Sequence, residues 1–448
     1  MKRRELAHLD AWYQGIRRKP LILRGARQVG KSTLVRDFAR SKKLQLHEFN
    51  LERHLAMDEV FRSLDTTRIF RALSDIQRSL FDPRLSGQLL FLDEIQSCPQ
   101  SIPALRAIQE DFPDLPVVSA GSLLEFILED HEFSMPVGRV EYMHIGPIRF
   151  EDFLEAHGAD YLVERIRELR FDRPETWPTP VLHDEAMSHV QNFLFCGGMP
   201  EAAAAFLDSD GDPRAVSPIH ACILDTYCDD MSKYARRSAL PRVHAVFDFL
   251  AAHPCQKIKY STIAPDHLAR DVKQALKLLF QARVATPVFH TSCAGLPLEA
   301  GKAENTYKSI FLDVGLHNSA VRADLPLIRS LKGDQLLGRG AMVEQFVGQH
   351  LLYRDEPYRT PLLHYWLREG KKGNAEVDFV IGLVDSMVAI EVKAGAGGHL
   401  RSLRVWEEES VYPKKTLLRL NSHLPKREGT ILSLPIYCLE QATRILGI

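Results

Sequence analysis

The chain has 448 residues, 45% hydrophobic and 26% charged, with a formal net charge of −1. That length exceeds one typical core and predicts three or four domains, and the near-zero charge excludes a global field drawing nucleic acid or membrane to the whole surface. Seven cysteines without a C-x-x-C pair, no apolar leader and no run of the ~18 apolar residues a membrane span needs argue against a disulfide framework, a zinc site and a membrane partner, and predict a cytoplasmic protein.

In chain order, the start is locally basic: Lys2, Arg3, Arg4, Arg17, Arg18, Lys19, Arg24 and Arg27 face only Glu5 and Asp10. Such a run is either a solvated surface or one that receives a polyanion. An apolar strand over 21–24 then leads into a G-x-x-x-x-G-K-[ST] pattern, followed by a helical pattern over 34–39. Its residues are Gly25, Ala26, Arg27, Gln28, Val29, Gly30, Lys31 and Ser32, with Thr33 next. In that strand–loop–helix setting, glycines let backbone N–H groups approach phosphate oxygens. The helix N-terminus adds partial positive charge, Lys31 supplies a full charge, and the Ser32 hydroxyl can hold Mg²⁺. The segment predicts a site for ATP and Mg²⁺.

Further strand patterns at 44–50, 89–92, 116–119 and 141–145 alternate with helical ones, which favours a parallel sheet. Four apolar residues, Leu89 to Leu92, bury a strand and push Asp93 out at its carboxyl end. There Asp93 can reach the Mg²⁺ shell, and Glu94 can orient or deprotonate the attacking water. Ser119 and Ser122, at the end of the next strand, are both candidates to sense the γ-phosphate; Ser122 is equally a candidate helix N-cap. Arg139, just before the last strand, can stabilise charge on the transferring phosphoryl group, in cis or from a neighbouring subunit.

The segments Gly25–Thr33, Leu92–Gln96, Ala120–Ser122, Gly138–Arg139, Gly146–Phe153 and Gly197–Glu201 resemble, in order and over nearly the whole chain, the prokaryotic AAA-type (AAA+/STAND-like) ATPases that carry a C-terminal DUF4143 domain. The resemblance implies an ATPase core followed by a helical lid, with Gly198 and Pro200 as the lid's G-x-P element near the nucleotide. A plain turn is the alternative for those two residues. The chain lacks an evident sensor-2 arginine.

Residues 151–235 read as helical. Residues 236–325 read as helix, helix and strand pair, the order of a winged helix, and a buried strand is expected over 308–316. Arg270, Lys273, Lys277 and Arg283 on or just after its second helix would lie near a major groove if that helix binds DNA; a solvated basic face or a subunit contact is the alternative. Residues 326–448 carry an acid followed by acid-x-Lys on adjacent strands: Asp378, then Glu391 and Lys393, with Glu344 on an upstream helix. This is the pattern of PD-(D/E)xK nucleases. Two carboxylates on one face hold a hard Mg²⁺ or Mn²⁺, and the lysine polarises a water. Glu376 shares the face of Asp378 and is an alternative ligand. A flexible loop at Gly395–Gly398 follows, then a helix with Arg401 and Arg404 on one face and Trp406 in the core.

The expected fold is α/β. It comprises a P-loop NTPase parallel sheet over 1–150, a helical lid over 151–235, a winged-helix-like middle over 236–325 and a PD-(D/E)xK nuclease-like α/β domain over 326–448. The expected function is an ATP-hydrolysing, DNA-associated homo-oligomer whose last domain binds or cleaves DNA with a divalent metal. A STAND-type regulatory switch and a protein-remodelling ATPase with an inactive C-terminal domain are the alternatives.

Overall fold

A computed structural model describes residues 3–129, 138–323, 325–370, 373–393 and 400–448; the glycine-rich loop expected at 395–398 lies outside them. Five strands form the first sheet: β1 (Leu21–Arg24), β2 (Gln45–Asn50), β3 (Gln88–Asp93), β4 (Val117–Gly121) and β5 (Glu141–His144). Their order is β2-β3-β4-β1-β5 and every neighbour is parallel. Successive residues of a strand face opposite sides, and the sequence supplies apolar groups to both. Leu21, Leu23, Leu89, Phe91, Val118 and Ala120 join one core, while Ile22, Leu90, Leu92 and Val117 join another on the opposite face. A sheet apolar on both faces needs helices on both, and the carboxyl ends of its strands are left to build a site.

Residues 151–235 are largely helical, with helices at Phe150–Ala156, Asp160–Glu168, Pro180–Cys196, Pro200–Asp208 and Pro213–Tyr234. Helices Leu240–Ala252, Tyr260–Ile263 and Ala269–Gln281 follow. Next comes an antiparallel pair, β6 (Ala285–Thr291) and β7 (Lys302–Phe311). This pair does not close a separate unit. It joins β8 (Leu363–Arg368), β9 (Ala375–Gly382), β10 (Met387–Val392), β11 (Lys415–Asn421), β12 (Lys426–Glu428) and β13 (Ile431–Pro435) in one eight-stranded sheet, ordered β12-β13-β11-β10-β9-β8-β6-β7. The boundary expected at 325 therefore crosses a continuous sheet. Strand β6 pairs in parallel with β8, and a parallel pair needs a long crossover. Here the crossover includes helices Val314–Ala320 and Gly340–Leu352, the second buried on nearly every side.

The strand expected over 308–316 is shorter than its apolar pattern. β7 ends at Phe311, and Asp313 caps helix Val314–Ala320 by accepting from the N–H groups of Gly315 (2.9 Å) and Leu316 (3.2 Å). An aspartate that satisfies helix-start donors ends a strand where hydrophobicity alone would continue it. Among the described residues no helix is long and apolar enough to cross a membrane.

Candidate functional site

Strand β1 runs into a loop that ends at Gly30, whose φ of +87° is left-handed backbone suited to glycine, and helix Lys31–Lys42 begins there. A Cβ at Gly25 would lie 2.2 Å from the Ile145 carbonyl oxygen, so only glycine fits the start of the loop. Ala26 and Val29 are fully buried beneath it. The Lys31 ammonium donates to the loop's own carbonyls, Gly25 O (3.0 Å) and Ala26 O (2.8 Å). Burial pulls its pKa down to about 8, against the opposing pull of Glu94 and Asp93. Strand register puts Asn50 beside Asp93 and Ser119 beside Leu92, so Asp93 sits at the carboxyl end of β3. Ser32 Oγ donates to Asp93 Oδ2 at 2.7 Å. Burial raises the Asp93 pKa, and the charge of Glu94 adds to the rise.

These groups share a cavity of about 510 Å³ that Arg27, Gln28, Gly30, Lys31, Ser32, Thr33, Asp93, Glu94, Ser122 and Pro200 all line. Pro200 also approaches Gly30, at 3.2 Å from the place a Cβ would take. Gly198 stands behind it, its N–H donating to Asp313 Oδ2 (2.6 Å) and its carbonyl accepting from Ile148 N (2.7 Å). The two serines part company. Ser122 lines the cavity with Oγ 3.5 Å from Glu94 Oε2, whereas Ser119 is wholly buried in β4, level with Ile22 and Leu92. Glu94 has left-handed backbone at φ +53° and is gripped by the Gln96 side-chain amide. Strain at a non-glycine residue of this kind is typical of functional positions. The hydroxyl–carboxylate pair of Ser32 and Asp93 is an all-oxygen donor set on the cavity wall, which suits a hard cation such as Mg²⁺.

The second cluster lies in the eight-stranded sheet. Phe379 pairs with Ile390 across β9 and β10, which puts Asp378 opposite Glu391, and Asp378 Oδ2 accepts from Val392 N at 2.7 Å. Glu344 reaches the same place from helix Gly340–Leu352. Its pKa is raised to about 7 by burial and by Asp378, with Lys308 opposing. Glu391 is raised to about 8 by burial and by Asp378, although Lys393 pairs with it at 3.0 Å. The sequence pattern thus brought Glu344, Asp378, Glu391 and Lys393 together, but it missed Lys308. This fully buried lysine on β7 pairs with Glu344 and lies 3.5 Å from Glu376. The expected Mg²⁺ or Mn²⁺ at Glu344, Asp378 and Glu391 is not supported: among the described residues no group of three His, Cys, Asp or Glu side chains is arranged to hold a metal. An ammonium stands among these carboxylates instead.

Family comparisons assign both ends. An AAA domain matches residues 17–154, and a domain of unknown function, DUF4143, matches residues 339–439. The chain matches an AAA-type ATPase with a C-terminal DUF4143 domain. Between them, residues 187–326 match a second domain of unknown function, DUF8612. No curated protein matches the chain. Similar solved structures include the Aeropyrum pernix ORC1 protein in complex with DNA, at 14% identity, 73% of this chain, 93% of that chain and a TM-score of 0.29. The Thermotoga maritima RuvB Holliday junction branch migration motor is also 14% identical, over 64% and 88%, with a TM-score of 0.25. The Aeropyrum pernix ORC2 protein in ADPNP–ADP complexes is 12% identical, over 72% and 92%, with a TM-score of 0.34.

Within the AAA domain, Arg139 stands apart from the cavity. Leu21 is level with Glu141 and Arg24 with His144, so Arg139 precedes the amino end of β5 while the phosphate loop follows the carboxyl end of β1. The two ends are about 10 Å apart at the rise of a strand. Arg139 is half exposed, 3.6 Å from Glu110.

Sequence reasoning also missed Arg3, which lines the cavity, and Asp230 and Tyr227, two groups that hold its neighbour Arg27. Arg3, read as part of a basic surface run, is buried and donates to Val29 O (2.6 Å) and Gly146 O (2.8 Å). Arg27 pairs with Asp230 on helix Pro213–Tyr234, and Tyr227 Oη donates to Arg27 O at 2.6 Å. The only sequence signal for Arg3 was its position in the basic run; Asp230 and Tyr227 carried none, because the contact spans about two hundred residues.

Proposed function

We propose that this AAA-type chain is an ATP-hydrolysing switch that works on DNA as a homo-oligomer. The observation that carries the ATPase reading is the convergence of Lys31, Ser32, Asp93 and Glu94 on one cavity capped by Pro200. ATP phosphates would replace the Gly25 and Ala26 carbonyls as partners of Lys31, a short movement of one side chain. Ser32 and Asp93 would hold Mg²⁺, which when bound offsets the charge of the β- and γ-phosphates. Glu94 then orients the attacking water and takes its proton, and Ser122, hydrogen-bonded to Glu94, reports the γ-phosphate to it. The contacts of Arg27 and Tyr227 tie the phosphate loop to the lid, so lid position follows nucleotide state. This supports a switch rather than a continuous motor. Arg139, remote from its own cavity, supports action on a neighbouring subunit. The cations Arg270, Lys273 and Lys277 on helix Ala269–Gln281 support DNA association.

For the C-terminal domain, Lys308 beside Glu344 favours DNA binding over metal-dependent cutting on a nuclease-like frame. ATP turnover in Mg²⁺ by the whole chain and by Lys31→Ala tests the core reading. Turnover lost in the variant and on chelation of Mg²⁺ is expected; equal turnover in both proteins would refute it. Incubation with duplex and single-stranded DNA in Mn²⁺ should give no cleavage that depends on Asp378 or Lys393.

A further inference from the structure

A chemically mixed groove outside the nucleotide site lies between helix Ala269–Gln281, the β6–β7 pair and the AAA-domain residues Arg24 and Glu125. It encloses about 860 Å³. Its walls combine two kinds of group. Helix Ala269–Gln281 buries Val272, Ala275, Leu276 and Leu279 and turns Arg270, Lys273 and Lys277 into the groove. Their spacing of three and four residues lines them along one helix face. Opposite them the sheet offers Phe289 and Tyr307, with ring centroids 5.6 Å apart, and Phe280 lies 6.0 Å from Tyr307. At the inner end Glu125 accepts from both Arg24 (2.9 Å) and Arg283 (2.7 Å). One carboxylate between two guanidinium groups leaves that end positive.

We infer that this groove binds a single strand of nucleic acid, its phosphates along Arg270, Lys273 and Lys277 and its bases on Phe289 and Phe280, the two partly exposed rings that flank the buried Tyr307. A track of cations beside aromatic faces is how proteins hold single strands, because every base has a π-face. A duplex is recognised the other way round: the helix enters a major groove ~12 Å wide. Here the basic helix face is itself one wall of a groove that Leu352, Tyr353 and Leu362 also line, and its volume lies within the roughly 300–1,000 Å³ of sites that enclose small ligands. The inference rests on the DNA-associated reading above and names the form of nucleic acid and its seat.

The test is fluorescence anisotropy of labelled oligothymidylate titrated with the full chain, beside a labelled duplex of equal length. The wild-type chain should prefer the single strand. Arg270→Glu with Lys273→Glu should weaken it about tenfold or more and flatten the salt dependence by about 0.7 per lost phosphate contact. Phe289→Leu should weaken the strand and leave the duplex unchanged. ATP binding at the nucleotide cavity, which Arg270, Lys273 and Phe289 do not line, checks that each variant is folded. Photo-cross-linking of thiothymidine-bearing strand to the wild-type chain should label β6 or helix Ala269–Gln281, and it needs no variant. Strand binding that survives both changes with labelling elsewhere overturns the groove and leaves DNA association standing. A preference for duplex does the same. No binding of either form overturns both readings.

Discussion

Replacing Lys308 by methionine keeps the aliphatic stem and removes the one fully buried ammonium of the second carboxylate cluster. In the native chain that ammonium pairs with Glu344 and sits 4.8 Å from the Phe379 ring centroid and 5.2 Å from that of Tyr365. Glu344, its side chain about one-fifth exposed, stands beside Asp378, so the variant leaves these carboxylates with only the half-exposed Lys393 to offset their charge. Removing one partner of a buried pair costs about 3–5 kcal/mol. The sign with pH follows from Glu344. Burial holds its folded pKa at about 7, above the ~4.3 of an unfolded glutamate. The native state therefore binds the proton first, and the contribution of this group to stability falls as pH rises through that window. Without Lys308 the folded pKa rises further, so the deficit of Lys308→Met should be small near pH 5 and grow above about pH 7 by about 1.4 kcal/mol per pH unit until it levels off at the raised pKa. Urea unfolding followed through Trp366 and Trp406, both buried in the core under this sheet, measures it. Adding Glu344→Gln removes the orphaned charge and should recover most of the loss. A deficit below about 1 kcal/mol at pH 8, or a double variant as unstable as the single, would refute the placement of the ammonium as the partner of these carboxylates.

Three further outcomes follow from the nucleotide cavity. Glu94→Gln should bind ATP like the wild type and hydrolyse it about 10²–10⁴-fold more slowly, measured by single-turnover phosphate release; unchanged release would move the base elsewhere. Mixing Arg139→Ala subunits with Glu94→Gln subunits should restore turnover above either alone, since Arg139 lies at the end of the sheet away from its own phosphate loop; no restoration at any ratio counts against action in trans. Arg3→Ala removes a charged donor from Val29 O and Gly146 O, worth about 1.5–3 kcal/mol, and should weaken ATP binding by roughly that amount in calorimetry; a change in melting temperature with no change in ATP affinity would make Arg3 purely structural.

The parallel sheet and the chemistry at its rim were legible because they are local. An apolar strand, a glycine loop and a helix start are contiguous from Leu21 to Lys42, and Asp93 ends a strand whose every residue is buried. The choice between Ser119 and Ser122 was not legible, since both follow apolar residues and only strand register separates a buried core hydroxyl from one on the cavity wall. The acid-x-Lys pattern located Glu344, Asp378, Glu391 and Lys393. It could not show that Lys308, from a strand assigned to another domain, fills the space among them. Non-local pairing also hid the sheet that crosses the boundary expected at 325: hydrophobic alternation marks β6 as a strand but carries no record of its partner β8.

That pairing has a practical consequence. The matched regions end at 326 and resume at 339, which invites truncation there, yet a fragment beginning in that gap would lack β6 and β7. Strand β8 would become an open edge, a template for aggregation. The fragment would also have lost Lys308, so Glu344 and Asp378 would face each other with room for whatever cation the buffer supplied. Metal-dependent activity seen in such a piece should therefore be looked for again in the whole chain, where Lys308 occupies that place.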